Sequence, residues 1–140
     1  MRAALLLVAL LAAAPVVGQP SHAQDSYMTG TWFGRGQPDD ALSMYIDRMH
    51  ADGSWRGEYR ACLRGRPLDQ VQTGRWTLEG DRLLLHIETV DGISAPRTDV
   101  YRMLAHSDRS QKYIALPSGF AYTPQRVEDG AKMPPCDLIS

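Results

Sequence analysis

The stretch SWRGEYRAC (residues 54–62) decides the fold class. Small and apolar residues occupy every second position of it: Trp55, Gly57, Tyr59 and Ala61. Charged residues fill the positions between: Arg56, Glu58 and Arg60. Side chains two positions apart on a β-strand point to the same face of the sheet. The stretch therefore predicts a strand with one apolar face and one solvated face.

Turn residues divide the rest of the chain into runs of similar length. Asp52-Gly53 and Asp91-Gly92 supply the positive φ angles that tight hairpins require. Connections this short join antiparallel neighbours, because a parallel crossover needs a dozen or more residues. The sequence thus predicts an all-β, antiparallel up-and-down meander that closes into a small barrel, which removes exposed sheet edges. Eight strands are predicted, at about 30–35, 41–50, 54–62, 70–78, 82–90, 97–105, 111–116 and 120–127.

Alternation also assigns side chains to the barrel interior. In ALSMYIDRMH (41–50), Leu42, Met44 and Ile46 are expected to point inward, and Ser43 and Asp47 outward. Gly57, between two inward aromatic rings, is expected to leave open space. Apolar walls with a few tyrosine hydroxyls describe a modest ligand site, and they equally describe an ordinary dry core. The interior candidates for ligand binding are Met44, Ile46, Trp55, Gly57, Tyr59, Trp76, Leu85 and Tyr122.

Each tryptophan follows a glycine by two positions, in GTW (30–32), GSW (53–55) and GRW (74–76). Glycine and tryptophan then share a strand face, and the glycine gives the indole room along the interior wall. Glycine also permits the tight bends of a small closed sheet. We interpret the three motifs as packing devices at one end of the barrel.

The first of these motifs resembles the first-strand signature of the lipocalin or calycin superfamily, Gly30-Thr31-Trp32 here. The short TDVY (98–101) is similar to the second motif of that family, with an inserted valine. The resemblance implies that Trp32 closes the lower end of the barrel and that Arg126 packs over it from the last strand. It also implies a disulfide that ties the C-terminal segment to the barrel wall, as Cys62–Cys136 would. The chain likewise looks like short bacterial exported proteins described as lipocalin-like.

The N-terminal residues 1–23 have the pattern of a secretory signal. An apolar run, Ala3–Val17, is followed by Ser21-His22-Ala23, which offers small residues where a signal peptidase reads. We expect a soluble periplasmic or secreted protein without a membrane span. Its single barrel domain covers 24–140, with an irregular tail at 128–140. In an oxidising compartment Cys62 and Cys136 are expected to form a disulfide, the alternatives being two buried thiols or an intermolecular link.

Charge and motif content restrict the function. The formal net charge of −1 argues against nucleic acid as a partner. The sequence carries no motif for catalysis, a metal or a cofactor, so none is predicted and the chain is not expected to be an enzyme. A cluster of arginines forms either a patch for an anionic partner or a solvated strand face with Glu58 and Asp69. The patch consists of Arg56, Arg60, Arg64 and Arg66, with Arg75 beside it.

Two functions from different classes fit these observations. The first is an exported lipocalin-like protein that binds a small apolar or amphipathic ligand in or at the mouth of the barrel. The second is a periplasmic protein-interaction module, an enzyme inhibitor or an envelope assembly factor, with a filled core. An enclosed apolar cavity of some 300 Å3 or more would favour the first.

Overall fold

The computed structural model describes residues 26–136, which form one antiparallel sheet. The predicted signal segment 1–23 and the last four residues of the predicted tail lie outside this range. In the described range no helix has the length and hydropathy to cross a membrane. The strands are β1 (Gly30–Gln37), β2 (Asp40–Met49), β3 (Ser54–Leu63), β4 (Arg66–Glu79), β5 (Arg82–Val90), β6 (Ile93–His106), β7 (Gln111–Leu116), β8 (Ala121–Tyr122) and β9 (Gln125–Val127).

The predicted all-β meander is confirmed. Strands β1 to β8 pair with their neighbours in chain order, and β9 pairs with β1 at the other edge. The predicted hairpin turns are also present: Asp91 and Gly92 have φ angles of 51° and 79°, and Gly53 has 85°. The β3–β4 and β5–β6 hairpins are longer than predicted, because pairing continues into the segments that the sequence assigns to loops.

The sheet curls through 291° and stays open, so the predicted closure into an eight-stranded barrel is not confirmed. The strand predicted at 120–127 is two strands, because the chain crosses from one sheet edge to the other around Pro124, which has no N–H for a ladder. Two backbone hydrogen bonds join these edges. Gln111 donates to the Pro124 carbonyl at 3.1 Å, and Arg126 donates to the Arg109 carbonyl at 2.8 Å.

Successive hairpins alternate between the two ends of the curled sheet. We call the end with the turns at 38–39, 64–65, 91–92 and 117–120 the mouth, and the end with those at 50–53, 80–81 and 107–110 the base. The base holds the tryptophans, each at most 4% exposed. Every indole N–H has an acceptor within 3.0 Å. These acceptors are the Met28 carbonyl for Trp32, Oδ1 of Asp47 for Trp55 and the His50 carbonyl for Trp76.

Two of the glycines that precede the tryptophans, Gly30 and Gly74, make room for groups other than the indoles. The space where Gly30 lacks a side chain holds the Arg126 guanidinium, and the backbone carbonyl of His86 lies against Gly74 at a bulge in β4. The motifs are packing devices, as the sequence indicates, but the expectation that the ring itself takes the vacated space is wrong at both positions. Close approach by another group is what requires glycine there.

Arg126 lies over Trp32, the arrangement that the family resemblance implies for these two residues. Its guanidinium carbon is 4.3 Å from the ring centroid. The same guanidinium donates to the carbonyl oxygens of Asp108, at 2.6 Å, and Thr29, at 2.9 Å. A cation over an indole face is attracted by the ring quadrupole. The contact therefore joins β9, β1 and the N-terminal segment at the base.

The inward assignment of Met44 and Ile46 is wrong. Their partners on β3 are Arg60 and Glu58, which belong to the outer face, whereas Tyr45 pairs with the inward Tyr59. Met44 and Ile46 are nonetheless at most 1% exposed. Strand β2 is therefore buried on both faces, and the presence of apolar residues at alternate positions does not identify the inner face of the sheet.

The C-terminal segment 128–136 lies against the outer face of β2 and β3. Arg48 donates to the Ala131 carbonyl at 2.6 Å, and Arg60 donates to the Pro134 carbonyl at 3.0 Å. The predicted disulfide is confirmed: Cys136 bonds to Cys62, with 5.5 Å between their Cα atoms. Because these anchors flank Met44 and Ile46 across the strands, the segment accounts for the burial of both side chains. Each such burial stabilises the fold by about 1.5–3 kcal/mol.

Candidate ligand-binding cavity

A cavity of about 500 Å3 occupies the mouth half of the curled sheet. It extends from Leu83 and Leu85 in the buried core to the exposed Asp39 at the tip of the β1–β2 hairpin. Its volume lies within the range typical of small-molecule sites, roughly 300–1,000 Å3. The sheet therefore encloses space at the mouth that its tryptophans fill at the base.

Tyrosines form most of the aromatic lining. They come from β2, β3, β6, β7 and β8, and alternation places them all on the inner face. Neighbouring rings are 5.3 to 6.4 Å apart between centroids, in tilted, edge-on and stacked pairs. Such spacing is favourable for aromatic contacts. The five rings are those of Tyr45, Tyr59, Tyr101, Tyr113 and Tyr122.

Gly34 determines where the first of these rings lies. It pairs with Tyr45 across β1 and β2, and the phenol ring of Tyr45 occupies the space that a Cβ at Gly34 would need. The Tyr45 hydroxyl is 3.4 Å from that of Tyr113 on the opposite part of the sheet. Glycine at 34 thus lets the ring lie flat across β1 and reach β7.

Two tyrosine hydroxyls are available to a ligand. Those of Tyr59 and Tyr101 form no hydrogen bond with any described residue, although both side chains line the cavity and are half-buried. Tyr122, in contrast, donates to Oε1 of Gln37 at 3.1 Å and so bridges β8 and β1 near the mouth. The cavity therefore contains both free and satisfied hydroxyls.

Asp47 lies at the inner limit of the cavity, on the face opposite to the one the sequence suggests. It pairs with Gly57 on β3 and is 5% exposed. Its Oδ1 accepts the indole N–H of Trp55 at 3.0 Å. Burial raises the pKa of this carboxyl to about 7, and the hydrogen bond from Trp55 opposes the increase.

The same burial affects the neighbouring phenols. Desolvation raises the pKa of Tyr45, Tyr59 and Tyr113 well above the usual value of 10.0, and the charge of Asp47 adds to the increase at each. These phenols therefore stay protonated at neutral pH and can donate a hydrogen bond. The carboxyl and the hydroxyls together form a polar site within an aromatic wall.

Ion pairs and amides form the rim of the cavity. The guanidinium of Arg97 is 3.3 Å from the Asp99 carboxylate, and it also donates to Oε1 of Gln72 at 3.4 Å. Arg60 binds both carboxylate oxygens of Asp69, at 2.6 and 2.7 Å. Both arginines that border the cavity are thus paired with carboxylates.

The predicted ligand-binding residues are only partly brought together. Tyr59, Leu85 and Tyr122 line the cavity, and Met44 borders it from the outer face of β2. Trp55 and Trp76 pack at the base, and Ile46 lies under the C-terminal segment. Beside Gly57 the expected open space is absent, since a Cβ there would be 2.6 Å from the Trp55 ring and 2.9 Å from the Tyr59 ring.

The predicted arginine patch is divided between two environments. Arg60 is held by Asp69 and by the tail, and Arg56 lies 3.9 Å from Glu58. Arg64 and Arg66 are exposed at the tip of the β3–β4 hairpin. The four side chains therefore do not present one uniform basic surface.

Sequence reasoning missed Asp47, Tyr45 and Tyr101. The available signal was the alternation of Tyr45, Asp47 and Met49 in YIDRM (45–49), which is as regular as that of Met44 and Ile46.

The described residues bring no three histidine, cysteine or acidic side chains together as a metal site. The hydroxyl of Ser43, which also lines the cavity, donates to the Asp40 carbonyl at 2.9 Å.

No protein-family model matches the chain, and no curated protein sequence is significantly similar to it.

Proposed function

We propose that this chain is an exported lipocalin-like protein that binds one small amphipathic ligand in the mouth half of its barrel. The observation that carries the proposal is the cavity of about 500 Å3, with aromatic walls and unpaired polar groups on Tyr59 and Tyr101. A concave site of this size, lined by aromatic rings and by polar groups, suits a small amphipathic molecule. The contact of Arg126 with Trp32 supports the family resemblance.

In this proposal the curled sheet acts as a closed barrel. The backbone bonds of Gln111 and Arg126 join the sheet edges near the base, and the Tyr122–Gln37 hydrogen bond joins them near the mouth. The seam between β1 and β8 is then sealed by side chains rather than by a ladder. The Cys62–Cys136 disulfide supports export to an oxidising compartment.

Titration with a neutral fluorescent probe, N-phenyl-1-naphthylamine, tests the proposal. We expect saturable binding at one probe per chain and an increase in emission as the probe leaves water. Ala61→Phe, which adds a ring to a cavity-lining position, should weaken binding. Ala105→Phe is the matched control, because Ala105 is exposed and lies outside the lining. Absence of saturable binding, or equal binding by the two variants, would contradict the proposal.

A protein-interaction module is the second candidate, and one observation favours it. Large apolar side chains are exposed on the mouth hairpins: Leu63 is 61% exposed, Leu68 57% and Ile93 73%. Exposed apolar groups that cluster on one end often mark an interaction surface. If this candidate is right, a pull-down from envelope extract should return one partner that Leu63→Glu/Ile93→Glu loses, while probe binding is unchanged, since neither residue lines the cavity.

A further inference from the structure

We propose that the cavity selects an organic cation, a ligand whose protonated amine binds Asp47 within the tyrosine-lined wall. This inference rests on the proposed binding function and specifies the ligand class. It follows from the free carboxylate oxygen, the aromatic wall and the charge of the lining, which are independent observations.

One oxygen of the Asp47 carboxyl is left for a ligand. Oδ1 accepts the Trp55 N–H, whereas Oδ2 accepts no hydrogen bond from any described residue. Among the described side chains, the only fully enclosed polar atom without a partner is Thr29 Oγ1, so Oδ2 remains open to the cavity. A buried carboxylate with one oxygen free is costly unless a cation or hydrogen-bond donor reaches it. A protonated amine supplies both.

The tyrosines around Asp47 suit the same ligand group. Tyr45 and Tyr59 pair across β2 and β3 immediately on the mouth side of Asp47 and Gly57. Their ring centroids are 6.4 Å apart, and Tyr122 meets Tyr45 edge-on at 5.8 Å. Aromatic faces attract cations, most strongly where water is excluded, and aromatic cages are a common way to bind ammonium groups. The free hydroxyl of Tyr59 adds an oxygen acceptor.

The lining carries an excess of negative charge. Six aspartates and two arginines line the cavity, a formal net charge of −4 in a chain whose total is −1. Both arginines are occupied, Arg60 by Asp69 and Arg97 by Asp99, and neither is paired with Asp47. Such a lining attracts cations and disfavours carboxylates such as fatty acids. The aspartates are Asp39, Asp40, Asp47, Asp69, Asp91 and Asp99.

Three probes of nearly equal size separate charge from shape: 2-phenylethylammonium, 2-phenylethanol and 3-phenylpropionate. Isothermal titration calorimetry of the full mature protein should show the ammonium binding at least about tenfold more tightly than the alcohol, the factor expected for one charge-assisted hydrogen bond. The carboxylate should bind most weakly. This comparison uses the native protein, so it does not depend on whether a variant folds.

Asp47→Asn locates the effect. Asparagine keeps an oxygen that can accept the Trp55 N–H, and it removes the charge. We expect it to abolish the preference for the ammonium while binding of the alcohol persists. Asp108→Asn is the matched control: it makes the same charge change in an exposed turn at the base, and it should keep the preference.

The outcomes distinguish this inference from the proposed function. If the alcohol binds as tightly as the ammonium, or if Asp47→Asn keeps the preference, the cation inference is overturned while a ligand-binding barrel stands. If N-phenyl-1-naphthylamine binds but none of the three probes does, the inference is again overturned. If no probe of any kind binds, the proposed function fails with it.

Discussion

The two ends of the sheet share one pattern of alternation and differ in what it encloses. At the base, Trp32 and Trp55 are at most 2% exposed, and each indole N–H has an acceptor. At the mouth, Tyr59 and Tyr101 are half-buried, and their hydroxyls have no partner among the described residues. Large rings that fill one end supply stability, so the other end can keep polar groups unsatisfied. The base is tightly packed, whereas the mouth contains the cavity.

The largest effect should come from the base. Trp32→Ala removes a buried indole, the contact with Arg126 and a hydrogen bond to Met28. We expect a loss of about 5 kcal/mol in the free energy of unfolding, at the upper end for such truncations. Urea denaturation monitored by circular dichroism measures it.

Tyr59→Ala is the counterpart at the mouth. The side chain is half-buried and borders an existing cavity, so we expect a loss of only about 2 kcal/mol, since less packing is removed. Equal losses in the two variants would mean that both ends are packed alike. That result would remove the distinction between a structural base and a binding mouth.

The next effect concerns pH and Asp47, the buried carboxyl between the two ends. The pKa of Asp47, about 7 in the fold through burial, exceeds the usual value of 3.8. The folded state therefore binds more protons than the unfolded state between these values, and this group makes stability fall as pH rises from about 4 to 7. The full difference is roughly 4 kcal/mol.

Asp47→Asn isolates this contribution from those of other groups. The variant should be more stable than the native protein at pH 8, and the two should converge toward pH 4. Asp69, whose pKa is lowered by its hydrogen bond with Arg60, acts at more acidic pH and is common to both proteins. A constant difference between the two proteins across pH 4–8 would mean that Asp47 titrates normally and is reached by water.

Sequence alternation predicts strand faces well where only one face is buried. In β3 and β5 the inward assignments of Tyr59 and Leu85 agree with the structure. In β2 the same rule fails, because Met44 and Ile46 are covered on the outside by a segment that begins about 80 residues later in the chain. A strand covered on both faces has two apolar sets, and local periodicity cannot choose between them.

The candidate site is harder to predict than the fold for the same reason. Reversing the face of β2 moves Tyr45 and Asp47 from solvent into the cavity and moves Met44 from the inner to the outer face of the strand. A shift of one position exchanges all side chains between the two faces of a strand. The cysteine pairing was predicted from the sequence. The path of the tail between Val127 and Cys136 was not, because it depends on three-dimensional contacts such as that of Arg48 with the Ala131 carbonyl. This path decides which face of β2 is covered from outside.

A smaller effect tests the boundary between packed and open regions at Gly57. A Cβ at this position would lie 2.6 Å from the Trp55 ring and 2.9 Å from the Tyr59 ring. Gly57→Ala should therefore destabilise the fold by about 2 kcal/mol through overpacking. Gly130→Ala is the control, because a Cβ there meets no atom within 4 Å. A neutral Gly57→Ala would restore the sequence-based expectation of open space and would extend the cavity toward the base.

The smallest effect concerns the gap between β1 and β8 at the mouth. Tyr122→Phe removes the hydroxyl that donates to Gln37 at 3.1 Å between β8 and β1, and we expect a loss of about 1 kcal/mol. Tyr101→Phe also removes one oxygen from the lining, but that hydroxyl has no described partner, so stability should not change. Hydrogen exchange of the β1 amides should increase in the first variant alone, because only the Tyr122 hydroxyl bridges the two strands. If both variants leave the exchange unchanged, side chains do not seal the mouth, and a ligand has a second route into the cavity between β1 and β8.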